Sequence, residues 1–448
     1  MTLKTRVIFE VINTETGEII SRDELLTLDV ERPSTIDDIG LNATAQHQLA
    51  QNTADKMIEM QGPLINSYTT CPRCEHKVIK KGKTSCDVHA MTTDHSIDIQ
   101  KYRCPKCDWT SSDSIKTMYG TDTHTSLTKL QAELGCNYSY RKVVSILELM
   151  SSGHTRPVNN KERIKRVLSE VGAHIGEYHR TEILQEELIE TSAELIIHVD
   201  GAHVATQEKS KRSFEVMTGT IYKPEDVQFL TQDKNVITKK TCVASAKDDS
   251  QETMKQMLLN AAKRAGMTKK TKVTGFSDGA ANCKSVIKVL KKHCGEFESI
   301  LDWFHISMKF QGIAPLLPEN LRQELSSAKW KLWHGLPQDC IDKIDMLSTK
   351  IEDEKLKNRA MRFKNYIENN TEILVNYEER KSKHLPFTSQ VAESTVENLV
   401  NSRCRQTKKM QWLREGTHAL LQVKCAHYCN SFNKIWEYVM PKLTQKYA

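Results

Sequence analysis

Two stretches in the second half of the chain decide the expected fold: Leu195–Ala202 reads LIIHVDGA and Val273–Ala280 reads VTGFSDGA. In each stretch a short apolar-rich run predicts a β-strand, and an Asp-Gly pair follows the run directly. A carboxylate at the end of a strand reaches solvent while the sheet fixes its backbone, and the glycine leaves room for a bulky group nearby. Asp200 and Asp278 are therefore the first candidates for a functional site.

The segments around these two stretches alternate between strand and helix patterns. The further predicted elements are Ser213–Tyr222, Thr241–Ala246, Gln251–Ala265, Ala281–Lys292 and Glu298–Leu301. Three meandering strands followed by helix, strand, helix and strand is the order of an RNase H-like sheet. We therefore expect an α/β core with a mixed five-stranded sheet and flanking helices. Its first and fourth strands are neighbours, which would bring Asp200 and Asp278 to one point.

A third carboxylate, on a helix crossing that edge of the sheet, would complete a site for two Mg²⁺ ions. Mg²⁺ prefers oxygen ligands, and two ions about 4 Å apart stabilise the attacking and leaving oxygens of a displacement at phosphorus. Glu393 and Glu397 are the candidates, because residues four apart share one helix face. Glu393 lies nearer the start of its helix and is the preferred third ligand.

Two Cys-Pro-x-Cys segments, Cys71–Cys74 and Cys104–Cys107, lie nearer the front of the chain with 29 residues between them. A thiolate pair at this spacing turns both sulfurs toward one ion, and two such pairs close a tetrahedral Zn²⁺ site. We therefore predict a zinc ribbon with a structural ion. Three further residues between the pairs are alternatives, each of which could replace one of the four cysteine ligands. The predicted ligands are Cys71, Cys74, Cys104 and Cys107, and the possible replacements are Cys86, His89 and His95.

After the ribbon the apolar spacing becomes helical. Leu127, Leu130 and Leu134 share one face of a predicted helix, a turn is expected at Gly135–Asn137, and a second helix follows. Two short helices about a tight turn fit a DNA-reading helix-turn-helix. An ordinary helical hairpin is the alternative.

A chain of 448 residues is expected to fold as several domains. The predicted divisions are 1–64, a hairpin and helix; 65–118, the zinc ribbon; 119–190, a helical region with the candidate helix-turn-helix; 191–310, the first part of the core; 311–387, an all-helical insert; and 388–448, the last part of the core with the helix of Glu393 and a tail.

The net charge of +7 is unevenly spread. Residues 1–64 hold five basic and eleven acidic residues, a net charge of −6, so the remainder carries +13. A basic body suits a polyanionic partner, although a generally basic solvated surface explains the charge equally well. The sequence contains no run of eighteen apolar residues. Thirteen cysteines without a signal peptide indicate reduced thiols and metal ligands in the cytoplasm.

These features together resemble the DDE transposases of bacterial insertion sequences, most closely the ISKra-type group and its Mutator-like relatives. The resemblance extends over roughly residues 66–425. The segments that carry it are His198–Ala202, Phe276–Ala280, Asp302–His305, Val391–Ser394 and Met410–Trp412.

The resemblance implies an RNase H-like core that an all-helical insert interrupts before the catalytic glutamate. It implies that Asp200, Asp278 and Glu393 bind two Mg²⁺ (or Mn²⁺) ions and catalyse DNA strand cleavage and strand transfer. The implied partner is double-stranded DNA, both the terminal inverted repeats of the element and the target. A homodimer or larger assembly on DNA, in the bacterial cytoplasm and associated with the nucleoid, is also implied.

Basic residues and a tryptophan follow the helix of Glu393. Such side chains beside a metal site suit a phosphate backbone, and a solvated basic helix is the alternative. Asp302 and His305 either pair with each other or contact DNA near the metals. The predicted DNA-contacting residues are Asp302, His305, Arg403, Arg405, Lys408, Lys409, Trp412 and Arg414.

Two other functions remain open on the sequence. One is a non-catalytic, transposase-derived DNA-binding protein held together by Zn²⁺. The other is an RNase H-like structure-selective nuclease, which would cut branched DNA without joining strands. The ribbon and the helical region favour DNA binding that is guided by sequence. They therefore favour a transposase over a structure-selective nuclease.

Overall fold

The computed structural model describes residues 3–151, 157–181, 190–231, 234–388, 394–404 and 410–444. The chain divides into two compact units. The first comprises residues 1–167 and 436–448, and the second comprises residues 168–435. Glu393, Arg405, Lys408 and Lys409 lie outside the described residues. None of the described helices combines the length and the apolar character needed to cross a membrane.

The first unit opens with an antiparallel hairpin of β1 (Leu3–Ile12) and β2 (Ile19–Val30), followed by helix α1 (Ala43–Ile65). Asn42 caps α1 by accepting a hydrogen bond from the backbone N–H of Ala45. The helix continues through Pro63 and ends two residues later, at Ile65.

The ribbon is an antiparallel pair of β3 (Ile79–His89) and β4 (Asp94–Arg103), followed by the short helix α2 (Ile115–Tyr119). Ile97 and Ile99 of β4 are buried and pack with residues of α1. Most residues of β3 face solvent, whereas these apolar residues of β4 face α1.

Helices α3 (Thr125–Asn137), α4 (Tyr140–Met150) and α5 (Lys161–Arg180) follow. The turn between α3 and α4 falls at Tyr138 and Ser139, not at Gly135–Asn137, because α3 continues through the glycine. The helices share one buried cluster of Leu127, Val143, Leu147, Val158 and Ile164. A helix-turn-helix and a simple hairpin both agree with this packing, so the DNA-reading role stays a prediction.

The second unit contains a mixed five-stranded sheet in the order β11-β10-β5-β6-β9. The predicted first and fourth strands, β5 and β10, are parallel neighbours, and β11 is parallel to β10. β6 and β9 complete the sheet as antiparallel strands. A separate hairpin of β7 and β8, which the sequence analysis did not predict, is inserted before β9. The strands are β5 (Glu194–Ala205), β6 (Ser213–Tyr222), β7 (Val227–Thr231), β8 (Lys234–Ile237), β9 (Thr241–Ser245), β10 (Lys272–Ser277) and β11 (Glu296–Leu301).

Helices cover both faces of this sheet. One face packs Leu195, Ile197 and Val199 against α6 (Glu252–Arg264) and α7 (Ala281–Lys288). The opposite face packs against a layer of helices that follows β11 directly. Residues 303–388, which form this layer, contain no strand. Its helices are α8 (Trp303–Ile313), α9 (Glu319–Trp333), α10 (Pro337–Thr349), α11 (Glu354–Glu368) and α12 (Tyr377–Ser382).

The chain then forms α13 (Ser394–Val396), a π-helical turn (Glu397–Asn401) and α14 (Ser402–Cys404) in succession. Leu399, Val400 and Cys404 are buried. The last helices are α15 (Arg414–Tyr428) and α16 (Phe432–Leu443).

Gly172 of α5 marks a very close crossing with α15. A Cβ atom at this position would lie 2.3 Å from the backbone oxygen of Ala419. We expect Gly172→Ala to reduce the free energy of unfolding by about 3 kcal/mol, because backbone atoms cannot move aside as a side chain can. Thermal unfolding measures this effect.

Gly416→Ala is the matched control, since a Cβ there meets no atom within 4 Å. This variant should be neutral or gain about 0.5 kcal/mol from better helix propensity. Equal stability of the two variants would contradict the close crossing of α5 and α15.

Candidate functional site

Three aspartates lie side by side at one edge of the sheet. Val199 of β5 is in register with Ser277 of β10, and Ser277 is in register with Leu301 of β11. The next residues along the three strands are Asp200, Asp278 and Asp302. The backbone N–H of Asp302 donates a hydrogen bond of 3.0 Å to the carbonyl of Ser277, which extends the ladder to the row of aspartates. The expected end of the first strand at Asp200 is wrong, because β5 continues to Ala205.

His305 lies one turn into α8 and faces two of these carboxylates. Its Nε2 atom is 3.6 Å from Oδ2 of Asp302 and 4.0 Å from Oδ2 of Asp200. Asp302 is buried, and its Oδ1 caps α8 by accepting a hydrogen bond of 3.1 Å from the N–H of Phe304. The Asp302 side chain thus connects the first turn of α8 to the end of β11. His305 lies between this side chain and Asp200.

Burial raises the pKa of the Asp200 carboxyl, and the negative charges of Asp278 and Asp302 raise it further. His305 opposes this rise, as does the N–H of Gly201, which donates to Oδ1 of Asp200. The repulsion that helps to raise the pKa of Asp200 is relieved when a cation binds between the carboxylates. Among the described residues, only the four cysteines of the ribbon bring three or more ligand atoms within 4.8 Å of one another. A Mg²⁺ or Mn²⁺ site at this edge of the sheet therefore stays a prediction.

Because burial and the neighbouring negative charges disfavour ionised Asp200, we expect Asp200→Asn to increase the free energy of unfolding of the second unit when no Mg²⁺ or Mn²⁺ is present. The raised pKa means that ionised Asp200 weakens the fold as pH rises through the folded-state value, and the penalty disappears below the unfolded-state value. The gain at neutral pH should be less than about 1 kcal/mol, because partial exposure screens the charges, and it should vanish below about pH 3, where the carboxyl is protonated in the unfolded state as well. Thermal unfolding at the two pH values tests this, with Asp342→Asn on the exposed side of α10 as control.

Two tyrosines of the helical layer hold the strand ends that carry the aspartates. The hydroxyl of Tyr366 donates a hydrogen bond of 2.7 Å to the backbone oxygen of Asp278, and Tyr377 donates one of 2.7 Å to that of Leu301. Sequence reasoning missed both residues, since no local pattern connects a tyrosine to a carbonyl some 80 residues away. They hold the backbone where β10 and β11 end.

Helix α13 begins at Ser394, the residue that follows Glu393 in the sequence. The hydroxyl of Thr220 donates to that of Thr395 at 3.2 Å. Thr220 is in register with His198, which shares a face of β5 with Asp200. The start of this helix therefore packs on the face of the sheet to which Asp200 belongs. Glu397, the alternative acid, is exposed and accepts a hydrogen bond from Asn401.

The predicted DNA contacts at Arg403 and Trp412 do not fit their placement, because both side chains are buried. The guanidinium of Arg403 lies over the Trp412 ring at 4.9 Å, and the indole therefore does not offer an open face to a base. Arg414 is bound to Asp249 at 2.6 Å and also donates to the carbonyl of Ala246. Arg403 and Trp412 thus pack inside the fold, and the partly exposed Arg414 is already engaged in an ion pair.

The four predicted zinc ligands form one cluster, with their sulfur atoms all within 4.8 Å of one another. The Sγ atoms of Cys71 and Cys107 are 3.6 Å apart, and Cys74 lies 3.5 Å from both Cys104 and Cys107. A tetrahedral Zn²⁺ with bonds of about 2.3 Å requires sulfur–sulfur distances of about 3.8 Å. The cluster fits a structural zinc ion.

The two cysteine turns are built alike. Glu75 and Asp108, which follow the second cysteine of each pair, both have positive φ angles, 58° and 56°. Each donates its N–H to the carbonyl of the first cysteine of its pair, at 2.9 and 3.0 Å. Because the two cysteine turns have the same geometry, each directs its pair of sulfur atoms toward one common point.

The histidines between the cysteine pairs are engaged elsewhere. His89 pairs with Asp94 at 2.9 Å, and His95 pairs with Asp55 at 2.8 Å. Cys86 donates its thiol to the carbonyl of Asp113. None of the three belongs to the four-cysteine cluster.

No protein-family model matches this chain, and a search of curated proteins finds no significant match.

Proposed function

We propose that the chain is a transposase of the DDE type, which cuts DNA at the ends of its element and joins the freed strand to a target. The observation that carries the proposal is the row of Asp200, Asp278 and Asp302 at one sheet edge, with His305 against two of them. The strand order supports an RNase H-like sheet, because the parallel strands β10 and β11 lie on one side of β5 and the antiparallel strands β6 and β9 lie on the other. The helical layer after β11 supports the expected insert.

In this proposal Asp200, Asp278 and Glu393 would hold two Mg²⁺ ions, which supply a nucleophile and a stabilised leaving oxygen when bound. The chain's own residues keep the carboxylates in place. Tyr366 and Tyr377 hold the strand ends, and the buried Asp302 fixes the start of α8. His305 would face Asp200 and Asp302 at the point where DNA enters the site.

The four-cysteine module and the helices α3 and α4 would bind the element ends. The net charge of +13 beyond residue 64 supports a polyanionic partner. Such binding is expected to weaken steeply as salt increases, because each phosphate contact releases counterions.

The test is incubation of the chain with DNA that carries the ends of its own element, in Mg²⁺, in Mn²⁺ or in a chelator. A transposase produces both nicks at the ends and joined products, and only with a divalent cation. Nicks in branched DNA without joining would indicate a nuclease instead. Binding without any nick would indicate a regulator that does not cut.

A further inference from the structure

The N-terminal hairpin exposes most of its apolar residues and one free strand edge. β1 and β2 form a two-stranded sheet with no other described strand, and α1 packs on the side of β2, where Asn52 donates to the carbonyl of Leu25. On β1, Val7 is 40% exposed and Ile8 is 38% exposed. An isolated hairpin is marginally stable, and a ten-residue edge with apolar side chains is a template for another strand.

We infer that β1 pairs with β1 of a second copy of this chain, antiparallel and centred on Ile8, to form a four-stranded sheet across a two-fold axis. The evidence for a second copy as the partner is the self-complementary sequence of the strand. With Ile8 opposite Ile8 of the other copy, Arg6 lies opposite Glu10 on both sides of the axis. The same register sets Val7 opposite Phe9. A shift by two residues in either direction separates Arg6 from Glu10.

The charges already present in the hairpin extend this pattern. Glu10 pairs with Arg22 of β2 at 3.2 Å, and Arg6 lies 3.7 Å from Glu24. In the register of the hairpin Arg22 faces Glu10, whereas Glu24 faces Ile8 and reaches Arg6 diagonally. The proposed pairing therefore places Arg22, Glu10 and Arg6 of the other copy in one row of alternating sign, with Glu24 of that copy diagonal to its Arg6. Opposite charges on facing strands stabilise pairing, and like charges oppose it.

The inference rests on the hairpin alone and stands whether or not the aspartate site cuts DNA. Its test is the oligomeric state of the full chain without DNA, measured by sedimentation over a dilution series. Wild type should form dimers. Ile8→Lys should weaken dimerisation at least about tenfold, because two lysines then meet at the axis. Ile20→Lys is the matched control, since Ile20 is 64% exposed on β2 of the same hairpin and should change dimerisation by less than about twofold.

A mixing experiment separates loss of pairing from loss of folding. Ile8→Lys and Ile8→Glu should each be monomeric alone, yet they should form a mixed dimer when combined, because Lys and Glu then face each other at the axis. A monomeric wild type, a dimer unaffected by Ile8→Lys, an equal loss in Ile20→Lys, or failure of the two variants to associate would each overturn the inference.

Discussion

Asp200→Asn should abolish Mg²⁺-dependent cleavage of DNA ends while leaving their binding intact. Bound cations supply several kcal/mol of stabilisation to a phosphoryl displacement, which corresponds to about 10³-fold or more in rate. The amide cannot replace an anionic ligand, but it keeps the size of the side chain and relieves the repulsion from Asp278 and Asp302. Cleavage is measured on labelled end-containing DNA, and binding by a gel-shift assay with the same DNA.

Asp342→Asn is the matched control, because Asp342 is exposed on α10 and accepts a hydrogen bond from Gln338. It should cleave as wild type does. Full cleavage by Asp200→Asn would refute the proposed function, whereas loss of both cleavage and binding would show that the variant had damaged more than the metal site.

Cys104→Ser should lose the zinc ion and unfold the ribbon while the five-stranded sheet stays folded. Cys104 is fully buried in a small cluster with Cys71, Val78 and Tyr102, so little apolar area remains to hold the module together without metal. Zinc binding in modules of this kind is worth about 10–16 kcal/mol of apparent free energy. Elemental analysis should find about one zinc per chain in wild type, and hydrogen exchange should locate the unfolding within residues 70–110.

Cys86→Ser is the control that shows whether replacing any cysteine of the ribbon causes loss of zinc and unfolding. Cys86 lies on β3 outside the cluster, and its thiol donates to the Asp113 carbonyl. This variant should keep its zinc and its exchange protection. Wild-type protein without zinc, or a folded and zinc-loaded Cys104→Ser variant, would rule out the structural metal site.

The sequence predicted those parts of the fold that depend on local patterns. Apolar runs followed by Asp-Gly located β5 and β10, and the order of strands and helices predicted that these two strands are neighbours. The cysteine spacing predicted the four-cysteine cluster because the chemistry of a tetrahedral site restricts which residues can supply it.

Other features depend on contacts between distant segments, and no local pattern reveals them. The burial of Arg403 against Trp412 is an example, since a count of basic residues gives charge but not exposure. The hydrogen bonds of Tyr366 and Tyr377 are set by how the helical layer packs on the sheet. β5 continues past Asp200 because its pairing with β6 extends to Ala205, although the Asp-Gly pair looks like the end of a strand.

The central claim is that Asp200, Asp278 and Glu393 bind a pair of divalent cations. The most direct measurement is anomalous X-ray scattering from crystals of the chain grown with Mn²⁺. We predict two manganese peaks about 4 Å apart, in contact with all three carboxylates. Crystals that contain Mn²⁺ but show no peak between Asp200 and Asp278, or that leave the Glu393 carboxylate more than about 10 Å from both, would contradict it.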